Sequence, residues 1–329
     1  MSSNSSTESP EKYDEIHIAL SCTFVVLIIL LAIFGNVFVI QAFKRFRRLR
    51  HVTNYFVVSL AVTDILVALI SMPVWVAHII SGPALFLNKP LLQQLWTVTD
   101  IMVSVASIWH LTFVSIDRHL CITGPLLYHS RMTSKRGIII LVTIWCYSIV
   151  VASLAPTFWN SDLYTLVIVV LNYAVPVIII LFAYVNIFRA ARHQAKQIDM
   201  TINGKSRRFS LSAELKAAKT LGVVIGAFIV CWSPFFALNL NYYICRCPPP
   251  PLIVSVAKWM HYGNSMLNPL IYGLMNKDFR YAFKKLFTGY LSFQKSKKLS
   301  GRSATTNASS GENKDEEYAH IGKNDCTNL

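Results

Sequence analysis

The stretch LWTVTDIMVSVASIWHLTFVSIDRHLCI, residues 95–122, decides the fold of this chain. It lies in an apolar segment, 92–122, that is long enough to cross a bilayer as one helix. Asp100 lies inside the segment, and Asp117 and Arg118 lie near its end. Asp100 and Arg118 are 18 positions apart, which is five helical turns and about 27 Å of rise, so both project from one face. Ionisable groups inside a span are costly, so we interpret Asp100 as functional; the alternative is a structural carboxylate paired with another helix.

Six further apolar segments accompany this one. Hydrophobic residues make up 54% of the chain and charged residues 14%, against about 25% charged in ordinary soluble domains. We therefore predict an all-α membrane protein, with a seven-transmembrane helix bundle over residues 17–274. The predicted spans are 17–43, 53–80, 92–122, 135–156, 163–190, 213–244 and 251–274.

The two ends of the chain differ from the bundle. Residues 1–16 are polar and form the predicted N-terminal tail. Residues 276–287 place phenylalanines on one face and basic residues on the other, which predicts a short amphipathic eighth helix on the membrane surface. Residues 288–329 are rich in Ser, Thr, Asn, Gly and Lys, and we predict a disordered cytoplasmic tail.

The distribution of positive charge predicts the orientation. The net charge is +15, and the basic residues cluster at 44–50, 131–136, 189–219 and 277–298, next to the spans on one side. This placement favours the cytoplasm for that side and argues against nucleic-acid binding. We predict a multi-pass protein of the cell (plasma) membrane with an extracellular N-terminus, where Asn4 is a candidate glycosylation site.

Several polar side chains are predicted to meet inside the bundle. Asp64, Ser107, Asn264 and Asn268 lie at similar depth in three spans, and such groups must find one another or water. The group is a candidate Na⁺ site near Asp64; the alternative is hydrogen bonding between helices without an ion. We predict no other cofactor and no other metal site.

Motifs spread over the spans resemble those of rhodopsin-like (class A) G-protein-coupled receptors. The similarity covers residues 17–287. The matching residues are Gly35-Asn36, Leu60-Ala61-Val62-Thr63-Asp64, Asp117-Arg118-His119, Trp145, Pro176, Tyr184, Phe228, Trp232-Ser233-Pro234 and Asn268-Pro269-Leu270-Ile271-Tyr272.

Within that family the chain is most similar to the biogenic-amine receptors. The resemblance implies that Asp100 binds the ammonium of a small amine ligand, which aromatic rings would also attract. The ligand-binding residues that it implies are Asp100, Ser104, Asn172, Trp232, Phe235, Phe236, Asn239, Trp259 and Tyr262.

The resemblance also implies a mechanism and partners. Ligand binding outside would move the sixth span and open a cleft for a heterotrimeric G protein inside. The residues assigned to activation are Asp117, Arg118, Glu214, Tyr184, Pro234, Asn268, Pro269 and Tyr272. Ser210 follows a basic pair and is a candidate phosphorylation site, phosphate in the tail would recruit arrestin, and the C-terminus resembles a PDZ-binding end.

Other functions stay open from the sequence. A class A receptor for a non-amine ligand, of the adenosine-like or melanocortin-like branch, is the first alternative. A light receptor would need a lysine in the middle of the seventh span, and Lys258 lies one turn above Tyr262. An ion transporter would use the buried Asp64 and Asp100, although the chain lacks an internal repeat. We expect no enzyme, because no nucleophile–base spacing is present.

Overall fold

A computed structural model describes residues 15–82, 84–158, 161–199 and 205–300. These residues form eight long helices and no strand, which confirms the all-α fold class. The helices are α1 (Glu15–Arg45), α2 (Val52–Ser81), α3 (Pro90–Thr123), α4 (Ser134–Phe158), α5 (Asp162–Ala190, continuing to Asp199), α6 (Lys205–Cys245), α7 (Pro251–Met275) and α8 (Lys277–Ser300). Shorter helices cover Arg47–Leu49, Ala84–Asn88 and Pro125–Arg131.

Six of the helices in the described residues, α1 to α6, are apolar and long enough to span a membrane. Helix α7 has 25 residues, which is also long enough, but it carries a polar face. That face is buried, and α7 packs against α1, α2 and α6. Its polar residues therefore lie inside the bundle and not against lipid, and α7 completes the predicted bundle of seven.

The helix ends follow from local chemistry. Pro90 and Pro251 occupy the first positions of α3 and α7, where a missing N–H costs no hydrogen bond. The hydroxyl of Thr133 caps α4. Asn276 has an extended backbone, and its side-chain oxygen accepts from the backbone N–H groups of Asp278 and Phe279 at 2.9 and 3.1 Å. This cap stops α7 and starts α8 in a new direction.

Two π-helical turns precede prolines in α2 and α5, at Val67–Ser71 and Val170–Ala174. A proline removes a backbone donor, and a wider turn accommodates the change in hydrogen bonding. In α2 the carbonyl of Ser71 accepts a hydrogen bond from the indole of Trp96 in α3 at 3.0 Å. The turn therefore fixes the position of Trp96 beside α7.

Two boundaries differ from the sequence expectation. Helix α6 begins at Lys205, so part of the loop expected before residue 213 is helical. Helix α8 runs to Ser300, past the predicted end at 287 and into the segment expected to be disordered. Residues 288–300 contain Leu, Lys and Gln, which favour helix once a helix has begun. The rest of both predicted tails, 1–14 and 301–329, lies outside the described residues.

The buried apolar residues form two main clusters. One fills the middle of the bundle and the end that holds Arg118, around Phe56, Leu111 and Phe228. The other lies at the end that holds Asp100, around Met72 and Tyr262. We call these the Arg118 end and the Asp100 end.

Candidate functional site

The Asp100 end contains a buried ion pair between α3 and α7. The ammonium nitrogen of Lys258 lies 2.9 Å from Oδ2 of Asp100. The two side chains are only 8% and 10% exposed, respectively. Such a pair offsets the cost of desolvating two charges, which would be several kcal/mol for each ion alone.

Four aromatic rings surround the ammonium of Lys258. Its nitrogen lies 4.9 to 5.6 Å from the ring centroids of Trp75, Trp96, Phe235 and Tyr262. Each distance is within the range of cation–π attraction, which contributes roughly 0.5–2 kcal/mol per ring. The helices α2, α3, α6 and α7 thus build one cage for a positive charge above one carboxylate.

His261 lies one turn below Lys258 on the same face of α7. Its Nε2 is 3.2 Å from the hydroxyl of Ser104. Its ring centroid lies 4.1 Å from that of Trp232, 5.1 Å from that of Phe235 and 5.0 Å from that of Tyr262. The structure therefore brings four predicted site residues into one contiguous site with Asp100: Ser104, Trp232, Phe235 and Tyr262.

A cavity of about 410 Å³ adjoins this site between α3, α5 and α6. Phe235 lines the cavity and also contacts the Lys258 ammonium. Asp100 does not line it. The other lining residues are Ile101, Tyr164, Thr165, Ile168, Val169, Asn239, Tyr242, Tyr243 and Arg246. A volume of this size suits a small molecule.

Two predicted ligand residues lie elsewhere. Asn172 is in the π turn of α5, where its oxygen accepts from the indole of Trp109 at 3.4 Å. Trp109 lies nine positions after Asp100, about 13 Å along α3. Asn172 therefore lies deeper in the bundle than the Asp100 carboxylate, and its assignment as a ligand-binding residue stays a prediction.

Trp259 is the second of these residues. Its ring lies 5.5 Å from that of Phe24 and 6.2 Å from that of His17, both in α1. It packs on the side of α7 that faces α1, because it directly follows Lys258 and adjacent helix residues point in different directions. Trp259 thus lies on the α1 side of α7, and its role in ligand binding stays a prediction.

Phe236 takes an intermediate place. It is buried and stacks on Tyr173 with ring centroids 4.3 Å apart, and on Trp232 at 5.8 Å. It supports the floor of the site through Trp232 and does not contact Lys258 directly.

The sequence reasoning missed four members of the site. Lys258 was considered only as a candidate for a light receptor, and Trp75, Trp96 and His261 were given no role in binding. A signal was present: Lys258, His261 and Tyr262 are spaced i, i+3 and i+4, so they share one face of α7. A lysine on the inward face of a span needs a carboxylate, and Asp100 lies at the same depth.

The Arg118 end holds a second buried charge pair. Nη2 of Arg118 lies 2.7 Å from Oδ2 of Asp117. The hydroxyl of Thr53 in α2 donates to the same oxygen and contacts Arg118. Oδ1 of Asp117 accepts from the phenol of Tyr128 at 2.8 Å. Burial, followed by the Asp117 charge, raises the pKa of Tyr128 to about 12, so its phenol remains a donor at neutral pH.

The remaining activation residues lie on three helices. The ring of Tyr184 in α5 packs at Gly222 of α6. Tyr272 stacks on Phe279 of α8, with centroids 5.6 Å apart. Pro234 and Pro269 lie inside α6 and α7. Neither tyrosine is hydrogen-bonded to Arg118 in this arrangement, and the side chain of Glu214 lies outside the described ones.

The polar group in the middle of the bundle is assembled around Asp64. Asn268 donates to Oδ2 of Asp64 at 3.0 Å, while Oδ1 is buried and makes no hydrogen bond within the described residues. The Ser107 hydroxyl is also buried without a partner there. Asn264 is buried on the same helix as Asn268. These free oxygens fit a small cation better than a fully hydrogen-bonded structural group would.

Four further positions complete the comparison with the sequence. Asn4 lies outside the described residues. Ser210 lies in the first part of α6 by its backbone, and its side chain is outside the description. Cys245 and Cys247 are exposed and are not joined to each other in the structure.

Comparison with known proteins gives one family. Residues 35–163 and 155–272 match the 7 transmembrane receptor (rhodopsin family). The octopamine receptor beta-2R of Chilo suppressalis is 32% identical over 338 residues, covering 88% of this chain and 85% of that receptor. The D(1)-like dopamine receptor of Oreochromis mossambicus is 33% identical, covering 85% and 81%. The histamine H2 receptor of Homo sapiens is 34% identical, covering 84% and 82%.

The family match covers residues 35–272, which is most of the bundle, and these relatives are receptors and not enzymes. Together with the membrane-spanning helices, this makes the chain a multi-pass membrane protein. The chain therefore belongs to the rhodopsin family of seven-transmembrane receptors, with the biogenic-amine receptors among its relatives.

Proposed function

We propose that this receptor binds a small amine-type ligand at the Asp100 end and activates a heterotrimeric G protein at the Arg118 end. One observation carries the ligand proposal. An ammonium, that of Lys258, already lies on the Asp100 carboxylate inside a cage of aromatic rings. The site therefore has the chemistry that a ligand ammonium requires.

The named relatives support the same class of ligand. Octopamine, dopamine and histamine each carry an amine on a short chain attached to a planar ring, and receptors for all three are similar to this chain. The cavity next to Phe235 has room for such a ring. Its tyrosines and Asn239 offer both apolar faces and hydrogen bonds.

The Arg118 end supplies the coupling surface. Asp117 and Thr53 hold Arg118 in the present arrangement, and release of Arg118 would free its guanidinium for a partner. A ligand favours the released form only if it binds that form more tightly. Arrestin and a PDZ domain are proposed as further partners from the hydroxyl-rich tail and its C-terminus alone.

The orientation follows the charge distribution. The clusters at 44–50 and 131–136 adjoin the Arg118 end, which supports a cytoplasmic position for that end under the positive-inside rule. The Asp100 end then faces the outside of the plasma membrane, and so does the N-terminus. A small ligand would reach the cavity from that side.

A substitution at Asp100 tests the ligand proposal. Cells expressing the receptor are challenged with tyramine, octopamine, serotonin, histamine and dopamine, and G-protein activation is read with a panel of transducer sensors. We expect Asp100→Asn to weaken the best ligand by about 100-fold or more, since a buried charge pair contributes several kcal/mol. Because Lys258 would then be buried without a partner, the double variant Asp100→Asn with Lys258→Met is measured as well.

Glu15→Gln is the matched control. It removes an exposed carboxylate from the same end of the bundle, at the start of α1 and away from the cavity. Retention of full potency in both Asp100 variants would contradict the proposal.

We also propose that Na⁺ binds at Asp64, with Ser107, Asn264 and Asn268 around it. The two buried oxygens without partners support this. Thermal unfolding in NaCl against choline chloride tests it. We expect Na⁺ to raise the unfolding temperature of the wild type and to have no effect on Asp64→Asn; an equal effect on both proteins would exclude this site.

A further inference from the structure

We infer that the natural ligand is zwitterionic, an aromatic amine of the amino-acid class whose ammonium binds Asp100 while its carboxylate binds Lys258. The inference rests on the proposed function, since it refines the ligand of the same site. Such a ligand differs from a simple amine by a carboxylate next to the ammonium.

The charge balance of the site carries the first step. Asp100 and Lys258 sum to zero, and both side chains are at least nine-tenths buried. A monocation bound there would leave one uncompensated positive charge in a low-dielectric environment, which is costly. A zwitterion adds no net charge, so the ligand and the pair can exchange partners without leaving a charge unpaired.

The occupancy of the cage carries the second step. The Lys258 ammonium lies within 5.6 Å of the centroids of all four rings. A ligand ammonium in this place would separate Lys258 both from the Asp100 carboxylate and from the rings. The carboxylate of a zwitterionic ligand would give the displaced Lys258 ammonium a new partner. The ligand ammonium would then take the place of Lys258 among the aromatic rings.

Unsatisfied polar atoms carry the third step. Oδ1 of Asp100 is buried and makes no hydrogen bond within the described residues, so it is free to accept from a ligand ammonium. The phenol of Tyr262 is also buried; it lies beside the Asp100 carboxylate without a hydrogen bond of normal geometry, so it can donate to a ligand carboxylate instead. One free acceptor on the anion and one free donor beside the cation match the two ends of an α-amino acid.

The cavity accounts for the side chain of the ligand. Its volume of about 410 Å³ begins at Phe235, and three tyrosines line it: Tyr164, Tyr242 and Tyr243. Aromatic walls favour a planar ring through stacking. The charged end of the ligand would pass Phe235 to reach Asp100, and the ring would stay in the cavity.

Matched ligands that differ in the carboxylate provide the test. Tyrosine is compared with tyramine and tyrosine methyl ester, tryptophan with tryptamine and its ester, and histidine with histamine. Each is titrated against G-protein activation, and each is assayed for stabilisation of purified receptor against heat. In the wild type we expect at least one amino acid to be about 10-fold or more potent than both its amine and its ester.

Lys258→Met should reverse that order. The variant leaves Asp100 with no internal cation, so the amine and the ester should gain about 10-fold or more and the amino acid should lose. Lys89→Met removes an exposed lysine from the same end of the bundle and should leave the order unchanged. Lys258→Gln keeps a polar side chain of similar length and is used if the methionine variant is not expressed.

The outcomes separate the two proposals. If an amine is at least as potent as its amino acid on the wild type, the zwitterion inference is overturned while the amine receptor stands. If Lys258→Met leaves the order unchanged, the carboxylate does not bind this lysine and the inference also fails. If no member of any set acts on the wild type or on a Lys258 variant, the zwitterion inference fails, and the amine proposal is then decided by the five-amine screen described under the proposed function.

Discussion

The Asp100–Lys258 pair predicts a strong energetic coupling between two residues on different helices. We consider three variants: Asp100→Asn, Lys258→Met and the double variant. Each single substitution leaves one buried charge without its partner, a change that costs about 3–5 kcal/mol in proteins. The double variant removes both charges, and the methionine fills the space of the lysine stem among the aromatic rings.

The expected values follow from these structural facts. We expect each single variant to lose about 3–5 kcal/mol and the double variant to lose less than about 2 kcal/mol. Additivity would give a loss of about 6–10 kcal/mol for the double variant, so the coupling energy should exceed about 4 kcal/mol, above the usual range for contacting residues. At about 2 °C per kcal/mol, each single variant should unfold roughly 6–10 °C lower.

Fluorescence-detected size-exclusion chromatography after heating measures these shifts in detergent, without any ligand. Lys89→Met is the control, because this lysine is exposed at the same end of the bundle. A double variant that unfolds as low as the sum of the two single shifts would refute the reasoning. So would single variants that match the wild type.

Two further substitutions test other contacts. Gly35→Ala places a Cβ 2.6 Å from Cγ of Pro269, so we expect a loss of about 1–3 kcal/mol from overpacking, whereas Gly226→Ala has open space and should be neutral in the same heating assay. Tyr128→Phe removes the hydrogen bond to Asp117, worth about 1 kcal/mol, and should raise signalling without ligand a few-fold; unchanged basal signalling would contradict the role of this bond. The pKa of Tyr128 rises from 10.0 to about 12 on folding. The neutral phenol therefore contributes its full stabilisation below pH 10, and this stabilisation is lost between pH 10 and about 12. The Tyr128→Phe variant should lose less stability than the wild type over that pH range.

The sequence predicted the bundle well because each span leaves a local signal. Apolar runs of sufficient length, separated by basic loops, identify membrane helices without knowledge of their neighbours. The ends of individual helices are harder to predict from the sequence. Whether α8 ends at residue 287 or continues to Ser300 depends on weak helical propensity, which composition alone does not resolve.

The site could be predicted only in part, and that part came from the family resemblance. Asp100, Tyr262 and Phe235 were assigned through family resemblance, and the structure brings them together. The resemblance implies no role in ligand binding for Lys258, whose pairing with Asp100 only the structure shows. Asn172 lies inside the π turn that precedes Pro176, so its side chain points in a different direction from that in a regular α-helix.

The hydrogen bond from Tyr128 to Asp117 has a consequence for communication across the membrane. Tyr128 belongs to the short helix Pro125–Arg131, outside the spans, while Asp117 belongs to α3, which also carries Asp100. A cytoplasmic protein that draws this short helix away would remove a donor from Asp117 and loosen its hold on Arg118. Thermodynamic reciprocity then requires that any ligand which loosens the same contact also strengthens attachment of that protein. If release of Arg118 activates the receptor as proposed, this one contact would respond to binding at either end of the bundle.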